Sequence, residues 1–355
     1  MNSILSLHDG FSEFRSIPSH LVYGDASRPN PDACIMIPTF RRADTLKLTV
    51  NSAINQKGSV AYDIIVVDND ADTDPKTDAL MKSITSSNKN VLYYRNEQNI
   101  GMCGNWNRCI ELSRSEVFCI LHDDDQILPN YLEQLLPIAK SVEFGAIGVF
   151  NRAFYFPDGY RQGSNDRFKS VIGKIRGNRL IPFYLKDAVT NMRPSPTACL
   201  YNKRACLEIG GFSFDYIGEG QLNDNVFFCR MCTQWRVYVF PQILALRGIG
   251  DNVSYRAVYD VTVGDYELNQ VIIERDSMKH KRLYHWLAKC TVCELMESYK
   301  KSYQIDIDKN LICQRLHISD EKLRINKPLV KMIQILLWVR ACCRQDPRRN
   351  TQPIQ

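Results

Sequence analysis

His122, Asp123, Asp124 and Asp125 follow directly on an apolar run, Val117 to Leu121. Three adjacent carboxylates disfavour joint ionisation unless a cation sits among them. A hard divalent ion, Mg2+ or Mn2+, meets that need, held by one or two carboxylates together with phosphate oxygens and water. The chemistry that uses such an ion is displacement of a diphosphate, whose developing charge the metal absorbs. The plainer alternative is a solvated loop in which Asp125 caps the following helix.

The elements that must position these acids read from hydrophobic periodicity. Ala33 to Ile37, Asp63 to Val67, Val91 to Tyr94, Val117 to Leu121 and Gly145 to Phe150 are apolar runs of strand length. Between them, Asp44 to Gln56 and Cys103 to Leu112 carry helical spacing, and Pro129 suits the first turn of another helix. Strands apolar on both sides, alternating with helices, predict an α/β fold: a mostly parallel sheet with helices on both faces. In such sheets ligands gather at the carboxyl ends of the strands. Pro38–Thr39, Asp68–Asn69–Asp70 and His122 to Asp125 all stand at those ends, so polar and acidic groups converge on one edge. The spaced acids Asp68, Asp70, Asp72 and Asp74 do not make a calcium loop, since Thr73 and Ala79 stand where glycine and glutamate are required. No Gly-rich phosphate loop follows the first strand, which argues against dinucleotide binding and ATP hydrolysis.

The segments IMIPTFRR (35–42), DIIVVDND (63–70), NIGMCGNWN (99–107), FCILHDDDQILPNYL (118–132), GGF (210–212), LNDN (222–225) and RGIGDNVS (247–254) together resemble glycosyltransferase family 2. These are the inverting enzymes of the nucleotide-diphospho-sugar transferase (GT-A) fold, a Rossmann-like sheet. The resemblance covers about Ala33 to Arg256. It implies that Pro38, Thr39 and Phe40 line the nucleobase pocket and that Asp68 and Asn69 face base and ribose. Gly101, Asn105 and Asn107 would wall the nucleotide. Asp123 would face the ribose or metal, Asp124 would ligate the metal, and Asp125 would support or share that role. His122 stands where the common D-x-D motif has its first acid. Arg247 would lie near the diphosphate, and Gly248 and Gly250 replace the metal-binding histidine of many relatives. Asp224 matches the family's base, with Glu219 in reserve; Asp224 also suits the N-cap of a helix Asn225 to Cys232. Arg193 to Thr197 would shape the sugar pocket.

The implied activity is transfer of a hexose from a UDP- or dTDP-sugar to a sugar acceptor carried on polyprenyl diphosphate, in synthesis of surface polysaccharide such as O-antigen. The rival is a catalytically silent nucleotide- or sugar-binding scaffold of the same fold. A sugar-nucleotide pyrophosphorylase would need a Gly-rich loop where PTFRR stands. The expected organisation is an N-terminal arm (1–32), a GT-A domain (33–260, nucleotide half 33–150, acceptor half 151–260) and a basic helical extension (261–355).

The chain of 355 residues carries net charge +6, distributed unevenly. Between Lys279 and Arg349 stand 16 Lys and Arg against 7 Asp and Glu, which suits an anionic partner or a solvated helical surface. The basic stretch lacks the aromatic interleaving of a single-strand binder, so nucleic acid is not expected. Thirteen cysteines without framework spacing, and no apolar leader, point to a reducing cytoplasm. Cys229/Cys232 and Cys290/Cys293 lie in helical runs without zinc-knuckle turns, so they read as structural thiols. Leu329 to Cys343 is too short to span a bilayer. It either packs on its own domain or, with Trp338 and flanking basic residues, lies on the cytoplasmic face of the inner membrane.

Overall fold

The computed structural model describes residues 5, 9–72, 74–155, 159–160, 166–190, 193–213, 223–249, 257–275, 280–319 and 327–344. After β1 (Ser19–Tyr23), strands and helices alternate: β2 (Ala33–Thr39), α1 (Ala43–Ile54), β3 (Tyr62–Asp68), α2 (Pro75–Ser87), β4 (Val91–Asn96), α3 (Gly101–Leu112) and β5 (Val117–Ile120). A short β6 (Gln126–Ile127) and α4 (Tyr131–Ala139) lead to β7 (Ala146–Tyr155). Pro129 stands just ahead of Asn130, the residue that opens α4. Next come β8 (Gly159–Tyr160), α5 (Asp166–Arg176), β9 (Ile181–Phe183), β10 (Cys199–Asn202), α6 (Lys203–Glu208), α7 (Asn223–Gln234) and β11 (Val237–Ile249). The chain then turns helical with α8 (Val258–Arg275), α9 (Lys281–Tyr303), α10 (Lys309–Leu316) and α11 (Lys327–Cys342).

One sheet runs in the order β1-β4-β3-β2-β5-β10-β7-β11-β6. β4, β3, β2 and β5 are parallel, as continuous apolar strands require. β10 breaks the pattern, lying antiparallel between β5 and β7. Successive residues of β2 and β3 serve opposite faces. Cys34, Met36, Ile65 and Val67 join a core with Cys103, Ile110 and Phe227, from α3 and α7. Ile35, Ile37, Ile64 and Val66 join another with Leu46, Val50 and Leu132, from α1 and α4. Each such side chain contributes roughly 1.5–3 kcal/mol on burial, so the strand ends are held on a stiff base.

Among the described residues, part of the segment 1–32 pairs with the rest of the fold. β1 pairs antiparallel with β4 at the edge of the sheet. The Gly10 amide donates to Gly210 O at 2.8 Å, and Arg108 donates to Phe14 O and Ile17 O at 3.0 and 2.6 Å. An edge strand contacts the core on one side only, so its sequence, SHLVY, carries little apolar signal.

Asn107 belongs to this clamp. Its amide nitrogen donates to Gly10 O and Phe212 O, both at 2.8 Å, and its oxygen accepts from Phe212 N at 2.8 Å. Gly211, at φ +68°, passes so close that an added Cβ would stand 2.5 Å from Asn107 Oδ1. Asn107→Ala strands three backbone groups, two of them fully buried, and should cost about 3 kcal/mol. A urea melt would show this as a lower midpoint at unchanged slope; an unchanged midpoint would mean that the clamp contributes nothing.

The C-terminal helices join the same body. Arg193, in the loop before β10, pairs with Asp265 of α8 and donates to Asn269 at 2.6 Å. Arg344, just past α11, donates to Asp187 at 2.8 Å. The boundary expected at residue 260 falls in the first turn of α8. Among the described residues no helix is long and apolar enough to cross a membrane.

Candidate active site

The carboxyl ends of β2, β3 and β5 open into a cavity of about 1520 Å3. Beyond β5 the chain turns tightly, with the Asp125 amide donating to His122 O at 3.0 Å. This turn carries all four polar side chains. His122 lies flat on Trp106, ring centroids 5.0 Å apart and planes 15° from parallel. Asp123 accepts from Thr39 Oγ1 at 2.8 Å, which ties the ends of β2 and β5 together. Arg42, at the start of α1, donates through one nitrogen to Asp123 at 3.2 Å and Asp124 at 3.1 Å. Asp125 accepts the Gly248 amide at 2.6 Å.

Burial sets the protonation of this turn. Asp123 is pushed up to about 6, mainly by loss of water, with Arg42 opposing. Asp125 is raised by burial and then by the charge of Asp124. His122 is lowered by burial despite three nearby aspartates, which keeps its imidazole neutral.

His122, Asp124 and Asp125 each offer a ligand atom, and those atoms lie within 4.8 Å of one another. His122 Nε2 is buried and has no hydrogen-bond partner among the described residues. A neutral imidazole with two carboxylates suits Mn2+, and its oxygens suit Mg2+. The residues present therefore fit a divalent ion, with His122 completing the site where the common motif has an acid.

Gly248 leaves no room for a side chain. A Cβ there would stand 2.0 Å from the Asp124 carbonyl oxygen. Gly248→Ala must therefore displace the acidic turn, and a tenfold or greater loss of Mn2+ affinity is expected, roughly the size of a disturbed ligand support. Equal affinity in a Mn2+ titration would show that the turn yields without cost.

Across the cavity, Asp224 sits in the first turn of α7, half-buried, accepting the Asn225 amide at 2.7 Å. The helix starts two residues before the expected Asn225, so Asp224 is not its cap. Burial raises its carboxyl, opposed by that hydrogen bond and by His122, Arg193 and Arg247. Glu219 lies outside the described residues. Pro38, Thr39, Phe40, Asn69, Gly101, Asn105, Asp123, Asp124, Asp125, Asp224 and Arg247 all line the cavity.

Two expected nucleotide-binding residues, Asp68 and Asn107, do not. Asp68 is fully buried beneath the cavity, accepting from Tyr93 OH at 2.6 Å and Asp70 N at 3.0 Å. Asn107 holds the clamp described above. Asn69 lines the cavity, but its amide is saturated. The nitrogen donates to Asn99 Oδ1 and Gly101 O, and the oxygen accepts from Asn96 Nδ2 and Ile100 N. An aspartate could not make the two donations, which accounts for the asparagine. Asn105 is used similarly, between Val67 O and Asn96.

Sequence reasoning missed Arg42 and Trp106 as site residues. It also missed the far wall, where Asp265, Glu294, Lys301, Lys331 and Trp338 of the C-terminal helices line the cavity. Arg193 to Thr197 line it as expected.

Comparison with known proteins adds to this geometry. Residues 34–205 match the sequence profile of Glycosyl transferase family 2. This stretch, just under half of the chain, is similar to a family 2 glycosyltransferase domain. The matched part runs from β2 to α6, so Asp224 and Arg247 lie beyond it. An uncharacterized protein of Mycobacterium tuberculosis is 27% identical over 237 residues, 64% of this chain and 72% of that protein. The O-antigen biosynthesis protein RfbC of Myxococcus xanthus is 25% identical over 52% of this chain but only 15% of its own length. Among solved structures, residues 1–349 of S. aureus TarS align with TM-score 0.55 at 13% identity, covering 80% of this chain and 78% of that one. A Pyrobaculum calidifontis mannosyltransferase, solved with GDP-Man and Mn2+, aligns with TM-score 0.52 at 12% identity, covering 93% and 90%. The likeness to these structures gives the chain the GT-A fold.

Proposed function

We propose that this protein is an inverting, metal-dependent hexosyltransferase that uses a UDP- or dTDP-sugar. Its acceptor is a sugar on polyprenyl diphosphate, reached from the inner face of the membrane during surface polysaccharide synthesis. The observation that carries the reading is the placement of the His122–Asp125 turn and Asp224 in one cavity with Phe40 and Arg247. Phe40, 41% exposed at the rim, offers a ring to a nucleobase. The similarity to RfbC of Myxococcus xanthus supports the polysaccharide setting.

In this reading Asp224 takes the proton of the acceptor hydroxyl as its oxygen attacks the anomeric carbon. The carbon–oxygen bond forms on the face opposite the diphosphate. The bond to the diphosphate oxygen breaks and the configuration inverts. His122, Asp124 and Asp125 would hold Mn2+ or Mg2+, which when bound supplies charge stabilisation to the leaving diphosphate. Arg247 adds a fixed positive charge in the same cavity.

The test is calorimetric titration with UDP, dTDP and GDP, each with and without Mn2+. Metal-dependent binding of UDP or dTDP supports the proposal. Preference for GDP overturns the choice of donor. Binding of a nucleotide with no transfer or hydrolysis of its sugars would favour the silent scaffold.

A further inference from the structure

The outer face of α11 is the wrong way round for a helix in water. Its protein-facing side carries Val330, Gln334 and Ala341, with Trp338 packed on Phe150 and Phe168. Its solvent side carries Leu329, Met332, Leu336 and Val339, exposed by 40, 53, 60 and 41%. At about 100° per residue these four, with Ile335, fill an apolar stripe roughly 120° wide. Lys331 borders the stripe on one edge and Arg340 on the other. Lys327, on the side that faces the protein body, is paired with Glu297 at 2.6 Å, and α11 itself contains no acid. α5, joined to α11 through Phe168 and Trp338, exposes Val171 and Ile175 beside Lys174. Lys331 and Ile335 also line the cavity, so the stripe is continuous with its mouth.

We propose that α11 seats the protein on an anionic membrane surface. The Leu329–Met332–Leu336–Val339 face enters the headgroup boundary, and the cavity mouth opens beside it toward lipid-borne acceptors. The inference builds on the lipid-linked acceptor in the proposed function. Charge chooses the occupant. A second copy packed on this face would bring basic edges together without an acid to meet them, whereas anionic headgroups complement both edges.

The experiment is flotation of the intact protein with vesicles of phosphatidylcholine alone or with added phosphatidylglycerol. The protein should float with the anionic vesicles and release at high salt. Met332→Glu with Leu336→Glu should lower partitioning at least tenfold, and Arg340→Gln should lower it on anionic vesicles. Circular dichroism melts and Mn2+-nucleotide titration should match the parent in the Met332/Leu336 variant, since neither residue lines the cavity. The inference fails if the parent does not float with anionic vesicles, or if the Glu variant floats equally well. It also fails if light scattering shows a parent dimer that the Glu variant dissolves while vesicles bind neither. A protein that floats but binds no nucleotide would sink the donor reading and leave the membrane seat standing.

Discussion

An Asp224→Asn variant should bind donor nucleotide as tightly as the parent and transfer sugar about a thousandfold more slowly, the middle of the range for a lost general base. Asn225 N–H already donates to this carboxylate, and an amide oxygen can accept that bond, so the first turn of α7 should persist. What is lost is the capacity to take a proton. The pH profile separates this role from a structural one. Burial holds the Asp224 carboxyl above the ordinary carboxylate range. The base works only when deprotonated, so at saturating metal the parent rate should rise with pH through that raised value and then level. The variant should lack this limb. Full activity in Asp224→Asn, measured as release of nucleoside diphosphate coupled to acceptor product, would move the base elsewhere.

Much of this site was legible because strand ends announce themselves. Ala33 to Ile37 and Val117 to Leu121 are apolar enough to be buried on both faces, and the residues after them must emerge at one edge. That logic placed Thr39 and Asp123 together before any contact was known. It could not say which way each side chain turns. Asp68 and Asn69 are neighbours, yet one lies under the sheet end against Tyr93 and the other faces the cavity. Asn107 is likewise two residues along α3 from Asn105 but serves Gly10 and Phe212 instead. Long-range partners were also silent. Nothing in PTFRR tells which arginine reaches the acids: Arg41 pairs with Asp70, and Arg42 with Asp123 and Asp124. The antiparallel β10, pinned by its register to β5 and β7, follows a turn-rich stretch that periodicity does not decode. The far wall was hidden because helices read as an extension fold back over the cavity through Arg193 and Asp265.

Asp124→Ala should abolish Mn2+-dependent nucleotide binding and cut transfer by a hundredfold to a thousandfold, about 3–4 kcal/mol of charge stabilisation at the leaving group. The prediction is sharper than for its neighbours. Asp123 is engaged by Thr39 and Arg42, and Asp125 by Gly248, while Asp124 keeps more exposure, 21%, and among the described residues meets Arg42 alone through one oxygen. Arg42 makes the two cations competitors. Its guanidinium now supplies the positive charge between Asp123 and Asp124, and an ion at Asp124 must loosen that contact. Arg42→Ala should therefore bind Mn2+ more tightly in the absence of nucleotide, whereas Asp124→Ala should not bind it measurably. Protons compete at the same place. With Asp123 raised to about 6 and Asp125 raised by burial, lowering the pH below about 7 protonates the turn, so Mn2+ affinity should fall as pH falls. The metal-free fold should respond in the opposite sense. Carboxyls with raised values stabilise it at low pH, and that contribution is lost as pH rises through about 6. Thermal melts with EDTA and with Mn2+ across pH 5 to 8 test both signs at once. Parallel curves would mean that the ion does not bind at this turn.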